Sequence, residues 1–175
     1  GKGHYSPPEG LGGSYKGAAV GTSPAFSFSA TVCEVDVDME TGKVKVLNFW
    51  DAHDCGTAVN PMLVEGQAEG AVLMGMSETL MENEVFDKKG HMINADLHNY
   101  LIATSADMPV IHSTIVDSYE PNGPYGAKEV GEGATLPVLG AVANAIADAI
   151  GTRVFELPIT PQKVLEAIQS LNNKK

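Results

Sequence analysis

Apolar and acidic residues alternate over positions 33–40, and this alternation is the clearest structural signal in the sequence. The two classes take strict turns along the segment, with Cys33, Val35, Val37 and Met39 set against Glu34, Asp36, Asp38 and Glu40. A period of two predicts a strand with one buried face. After Thr41-Gly42, residues 43–46 alternate again, and their lysines can lie opposite the aspartates of the first strand. We therefore predict a β-hairpin whose second strand continues to Ala52 and ends over residues 53–56.

Helix signals follow the hairpin. Asn60-Pro61 predicts a cap and first residue for a helix that extends to about Met81. This helix contains Gly66, Gly70 and Gly75, and each glycine costs about 1 kcal/mol relative to alanine. We expect a helix that accepts this cost to let a ligand or another backbone come close.

Two further helices are predicted near the end of the chain. One carries an apolar stripe and stops at Gly151, and the other begins at Thr160-Pro161 and runs through Leu171. The inward residues are predicted to be Leu139, Val142, Ile146 and Ala149 in the first, and Val164, Leu165 and Ile168 in the second.

The remaining segments give weaker patterns. We predict a second hairpin over residues 84–93 with Lys89-Gly90 at its turn, and a strand over residues 109–116. Residues 95–105 are ambiguous, and residues 1–25, with seven glycines and three prolines, predict an extended entry segment. The fold class is therefore α+β, with antiparallel hairpins packed against helices, in a single partial domain over residues 1–175.

Composition excludes several classes of protein. A chain of 175 residues with 43% hydrophobic and 19% charged residues is typical of a buried globular fold. Its net charge of −11 argues against a nucleic-acid partner. The apolar stretch over residues 136–150 is interrupted by polar residues and proline, so it does not predict a membrane span. Because the chain begins at Gly1 without methionine, we expect a piece of a longer polypeptide or a processed subunit.

The cysteines and histidines do not predict a metal site. Cys33 and Cys55 are too few and too far apart for a CxxC site or a disulfide framework, which favours a reducing, cytoplasmic setting. In His53-Asp54-Cys55, neighbours on a strand point to opposite faces and do not all reach one ion. The other histidines lack ligand spacing on one element: His4, His91, His98 and His112.

Chemistry is predicted instead in the glycine-rich loop, residues 126–133. The loop presents Glu132 between Gly131 and Gly133 ahead of an apolar helix, so the backbone is free for unusual dihedrals or close approach and a helix N-terminus is near. Glu132 is therefore a candidate for catalysis or ligand binding, and a simple helix-capping role is the alternative. Gln67, among the glycines of the first helix, could bind a heterocycle through its amide or be an ordinary exposed polar residue.

These motifs in their order along the chain carry a resemblance. Asn60-Pro61 leading into Gly66-Gln67-Ala68-Glu69-Gly70, followed by Gly126-Ala127-Lys128-Glu129-Val130-Gly131-Glu132 before an alanine-rich helix, resembles the C-terminal part of the molybdenum-binding subunit of the xanthine oxidase family. The similarity extends over residues 26–168. That family includes xanthine dehydrogenases, aldehyde oxidoreductases, nicotinate dehydrogenase and 4-hydroxybenzoyl-CoA reductase.

The resemblance implies a molybdenum hydroxylase that oxidises a purine-like N-heterocycle or an aldehyde. Glu132 would be the general base, and Gln67, Lys128, Val130 and Gly131 would contact molybdopterin, in its simple or its cytosine dinucleotide form. Iron–sulfur clusters and FAD are expected on other domains or subunits, because this chain has no motifs for them. The remainder of the molybdenum subunit, an Fe-S subunit and an FAD subunit are the implied partners, and the chain alone is expected to be inactive.

Two alternatives remain open. The same cofactor could carry out reductive dehydroxylation of an aromatic acyl-CoA, or the chain could be a non-catalytic assembly module that keeps the fold.

Overall fold

The computed structural model describes residues 1–4 and 25–173, so the entry segment predicted for residues 1–25 lies almost wholly outside the described residues. Within them, a three-stranded sheet in the order β1-β2-β3 packs against helices. The strands are β1 (Phe28–Val37), β2 (Val44–Asp54) and β3 (Val110–Ile115), and the helices are α1 (Pro61–Leu80), α2 (Leu136–Ile150) and α3 (Pro161–Asn172). The predicted α+β class is confirmed.

The first hairpin is present, but β1 ends at Val37, and Met39, predicted on its buried face, is exposed in the turn. β1 and β2 are antiparallel, with Val37 opposite Val44 and Phe28 opposite Asp54. Gly42 adopts a left-handed φ of 74° at the turn, and its N–H donates to the carbonyl of Asp38 at 2.8 Å. β3, in contrast, runs parallel to β2, because the chain crosses back through α1 and a long connection before it pairs. The sheet is therefore mixed.

The second predicted hairpin is reduced to a tight turn. Within the described residues, segment 84–93 forms only an isolated bridge between Phe86 and Met92. The carboxylate of Asp87 accepts from the backbone N–H groups of Lys89 at 2.7 Å and His91 at 2.9 Å. Because these side-chain bonds satisfy the backbone locally, the turn forms without regular strands.

Helix ends agree closely with the sequence. Asn60 caps α1 through its side chain, which accepts from the N–H of Leu63 at 3.3 Å. α2 ends at Gly151, which has a left-handed φ of 72°, as a C-terminal glycine predicts. None of the described helices is both long and apolar enough to cross a bilayer.

The core lies between the sheet and the helices. Its largest fully buried apolar side chains are Phe49, Val72, Met76, Val138, Val142, Ile146 and Val164. The stripe predicted on α2 was partly wrong, because the buried positions are Val138, Val142, Ile146 and Ile150, whereas Ala149 is exposed. Both stripes have helical spacing, and packing against α1 at Gly75 selects the one that contains Val138.

Candidate functional site

The glycine-rich loop attaches to the chain just after β2. The N–H of Lys128 donates to the carbonyl of Cys55 at 2.9 Å, and the N–H of Thr57 donates to the carbonyl of Gly126 at 2.8 Å. Gly56 and Gly126 have left-handed φ values of 68° and 79°, which glycine adopts at little cost. The loop therefore extends the sheet backbone at the end where β2 stops.

Lys128 is held inside the protein. Its ammonium donates to Asp54 Oδ2 at 2.7 Å and to the carbonyl of Phe26 at 2.8 Å, and its side chain is only 8% exposed. Burial of Asp54 raises the pKa of its carboxyl, but hydrogen bonds from Lys128, from Ser118 at 2.5 Å and from the N–H of Gly56 at 3.0 Å outweigh it and lower the pKa to about 2. The charge of Lys128 is thus neutralised by the protein itself.

Glu129 is a second carboxylate in the loop, and the sequence alone did not single it out. Its Oε1 accepts from the hydroxyl of Ser27, and its Oε2 accepts from the N–H of Glu132 at 3.3 Å. Burial raises the pKa of this carboxyl, but the hydrogen bonds from Ser27, Glu132 and Gly133 lower it more, so the net shift is downward. Glu129 is therefore an ionised residue that ties the loop to itself and to the chain before β1.

Glu132 has an exposed side chain that makes no hydrogen bond to any residue the structure describes. The helix behind it has Thr135 at its cap and no acidic residue in its first turn. The capping interpretation therefore finds no support among the described contacts. The carboxylate of Glu132 is free to meet a ligand.

The two glycines beside Glu132 differ in what they allow. Neither Gly131 nor Gly133 has a positive φ, so the expected unusual dihedrals are absent. A Cβ on Gly133 would lie 2.9 Å from Ser27 Oγ and 3.0 Å from His53 Cε1, closer than a carbon normally approaches. Gly133 is thus required for close packing, whereas Gly131 faces open space except for Gln67 Oε1, 3.9 Å from the position its Cβ would take.

Gln67 reaches the loop from α1. Its side chain is exposed, and together with Lys128 and Val130 it lines a cavity of about 310 Å³. The other walls are mainly apolar: Cys55, Thr57, Ala58, Val59, Asn60, Leu63, Val64 and Ala127. The fold therefore brings Gln67, Lys128 and Val130 to one cavity, with Gly131 beside them and Glu132 next along the chain.

Metal ligands are not gathered in this region. No group of three or more His, Cys, Asp or Glu residues that could hold an ion occurs in the described part of the chain. His53 and Cys55 are buried, whereas Asp54 between them binds Lys128. The site therefore offers one free carboxylate, one amide and an apolar wall.

A buried polar pair was also missed from the sequence. Asp51 and His53 lie two residues apart on β2 and are each 1% exposed. The period of two could have revealed them, because it places both on the face that carries the apolar core.

The chain is similar in sequence to a known protein family. Residues 1–109 match the family described as a molybdopterin cofactor-binding domain. The xanthine dehydrogenase molybdenum-binding subunit of Escherichia coli O157:H7 is 33% identical over 163 residues, which cover 93% of this chain and 22% of that subunit.

Two solved structures share the fold. Quinoline 2-oxidoreductase from Pseudomonas putida 86 has a TM-score of 0.73 and 33% identity over 77% of this chain and 18% of its own. The aldehyde oxidoreductase of Desulfovibrio desulfuricans has a TM-score of 0.74 and 32% identity over 81% of this chain and 15% of its own. The chain thus spans about a fifth of the length of the relatives it matches.

Proposed function

Since the chain belongs to the xanthine oxidase family and corresponds to part of its molybdenum-binding subunit, we propose that it forms part of the active site of a molybdenum hydroxylase. The observation that carries the proposal is the meeting of two distant segments at one cavity. Gln67 from α1 lies against Gly131, immediately before the free carboxylate of Glu132.

The residues at the cavity fit part of a molybdopterin. A volume of about 310 Å³ is at the low end for a ligand site, so we expect other parts of the protein to complete the pocket. The amide of Gln67 can both donate to and accept from the edge of a heterocycle, and Gly131 has no side chain to hinder the approach. When bound, the cofactor would supply the oxygen and accept the electron pair that hydroxylation of a carbon requires.

Glu132 is the proposed general base. Its carboxylate is exposed, free of hydrogen bonds to described residues and only two positions along the chain from Val130, which lines the cavity. An Oε atom can therefore take a proton from the oxygen nucleophile as that oxygen attacks the substrate carbon. No group of the described chain has to be displaced first.

The other site residues have separate parts. Gln67, Val130 and Gly131 are proposed to contact the pterin directly. The ammonium of Lys128 is bound to Asp54 and to the carbonyl of Phe26. We therefore propose that Lys128 supports cofactor binding indirectly, by anchoring the loop. A structure of the loaded complex tests the direct contacts, since the amide of Gln67 should lie within hydrogen-bond distance of the pterin.

The substrate class is an N-heterocycle, such as a purine, or an aldehyde. The relatives named above are a xanthine dehydrogenase subunit, a quinoline oxidoreductase and an aldehyde oxidoreductase. Electrons would leave through Fe-S and FAD partners in a cytoplasmic hetero-oligomer. The free carboxylate of Glu132 favours catalysis over the alternative of an assembly module, and reductive dehydroxylation of an aromatic acyl-CoA would use the same site.

Replacement of Glu132 tests the proposal. In the native complex, Glu132→Gln should lower kcat by about 100-fold or more, because general-base catalysis contributes about 10²- to 10⁴-fold. Molybdenum content and the thermal unfolding midpoint should stay at the wild-type values, since Glu132 is exposed. The matched control is Glu40→Gln, a change at an exposed glutamate in the turn between β1 and β2. Turnover of Glu132→Gln within severalfold of wild type would refute the assignment.

A further inference from the structure

A buried histidine lies beneath the glycine-rich loop. His53 Nε2 is 3.4 Å from the carbonyl oxygen of Glu129. A carbonyl only accepts hydrogen bonds, so Nε2 carries the hydrogen. Cε1 of the same ring would be 3.0 Å from a Cβ on Gly133. The imidazole therefore touches the loop on both sides of Glu132.

The neighbourhood of His53 is polar where a core would be apolar. Asp51, on the same face of β2, accepts from the hydroxyl of Thr31 at 3.0 Å through Oδ1. Among the described residues, Asp51 Oδ2 and His53 Nδ1 have no hydrogen-bond partner. Burying unpaired polar atoms costs free energy. Apolar residues would fill the same space without that cost, so packing alone does not explain Asp51 and His53.

Glu129 also fixes this stretch of the loop, through hydrogen bonds of its carboxylate. Its carboxylate joins the hydroxyl of Ser27 to the N–H of Glu132. The hydroxyl of Ser29 also donates to the carbonyl of Gly133 at 2.6 Å. The backbone at Glu132 and at Gly133 is thus fixed by contacts that leave the side chain of Glu132 free.

We propose that His53 and Glu129 are positioning residues that hold the backbone around Glu132, so that its carboxylate points at the cavity. His53 supports the loop through the carbonyl of Glu129, and Glu129 closes the loop through the N–H of Glu132. Neither side chain has to touch substrate. This inference rests on the proposed function, because it assigns both residues to the orientation of the proposed base.

Variants of the native complex separate positioning from packing. His53→Phe keeps an aromatic ring of similar size but loses the Nε2 donor, and Glu129→Ala removes both carboxylate contacts. The matched control is Thr31→Val, which breaks the hydrogen bond to Asp51 on the same sheet face without touching the loop. Stability, kcat, KM and deuterium uptake over residues 128–135 are measured for each.

A misplacement of about 1 Å can cost about 100-fold in rate, so we expect kcat to fall about 10- to 100-fold in His53→Phe and Glu129→Ala, while KM changes less than about threefold. Deuterium uptake in the loop should become faster in both, because backbone contacts protect amides from exchange. Thr31→Val should lower the unfolding midpoint but leave kcat and loop exchange at the wild-type values.

Two results distinguish this inference from the function on which it rests. If His53→Phe and Glu129→Ala keep wild-type kcat and loop exchange while Glu132→Gln is inactive, the positioning role is wrong and the base assignment stands. If Glu132→Gln is fully active, the proposed function fails, and faster exchange in His53→Phe would still show that the histidine holds the loop. Equal losses of kcat in His53→Phe and Thr31→Val would overturn the inference in favour of general destabilisation.

Discussion

At the scale of single residues, the partner of a charge decides its role. Lys128 belongs to the motif that suggests cofactor binding, yet its ammonium donates hydrogen bonds to Asp54 and to the carbonyl of Phe26. Glu132, four residues further on, makes no such contact among the described residues. The loop therefore combines one charge that serves the fold with another that remains available for chemistry.

The ion pair predicts a pH-dependent contribution to stability. The carboxyl pKa of Asp54 falls from 3.8 to about 2 on folding, which corresponds to about 2 kcal/mol. Because the folded value is the lower one, this stabilisation is complete above about pH 4 and is lost as the pH falls through 2. Asp54→Asn should therefore lower the free energy of unfolding by about 2 kcal/mol at pH 7, and the difference from wild type should shrink near pH 2.

Urea denaturation at the two pH values measures this difference. The control is Asp148→Asn, a change at an exposed position on α2, which should stay within about 0.5 kcal/mol of wild type. A constant difference between wild type and Asp54→Asn from pH 7 to pH 2 would contradict the assigned cause.

At the scale of elements, the contact between α1 and α2 joins the two segments that supply Gln67 and the glycine-rich loop. α1 carries Gln67, and the glycine-rich loop leads into α2. The two helices are in close contact at Gly75, where a Cβ would lie 2.7 Å from Val138 Cβ. Of the three glycines expected to permit close approach, Gly75 meets α2, whereas Gly66 and Gly70 have no described atom within 4 Å of an added Cβ.

Substitution of Gly75 tests this crossing. Gly75→Ala should destabilise the protein by about 1 to 3 kcal/mol, because an extra methyl group must push Val138 and α2 away. Gly140→Ala on α2 is the control, since nothing lies within 4 Å of its added Cβ; it should be neutral or stabilise by up to about 1 kcal/mol. Thermal unfolding compares the pair, and equal midpoints would show that the crossing has room to spare.

At the scale of the whole molecule, the outer face of the sheet carries uncovered apolar side chains. Phe28 is 68% exposed, Val32 63% and Val110 58%, and Trp50 stacks on His112 at 5.3 Å between ring centroids.

The chain spans about a fifth of the length of its relatives. The cavity, at about 310 Å³, is likewise at the low end for a ligand site, so we expect other polypeptide to complete it.

Expression of residues 1–175 alone tests this expectation. The isolated chain should contain no stoichiometric molybdenum and show no turnover, because we expect other polypeptide to supply the rest of the cofactor site. The native complex should show both. Metal analysis and pterin fluorescence compare the two preparations. An isolated chain that retains molybdopterin at one per molecule would show that these residues suffice for the cofactor.

Elements whose causes are local could be predicted from the amino-acid sequence. Alternation over residues 33–40 set the β1–β2 hairpin, Asn60 and Thr160 set two helix starts, and Gly151 set a helix end, because periodicity and capping depend on residues a few positions apart. It also located Glu132 and Gln67 as candidates.

Which segments and side chains meet depends on the folded chain as a whole and could not be read from local patterns. It made β3 parallel to β2, buried Val138 and Ile150 of α2 in place of Leu139 and Ala149, neutralised Lys128 with Asp54, and placed His53 beneath Glu129. These outcomes depend on packing between residues far apart in the chain, where several pairings satisfy the same local pattern and only the assembled core selects one.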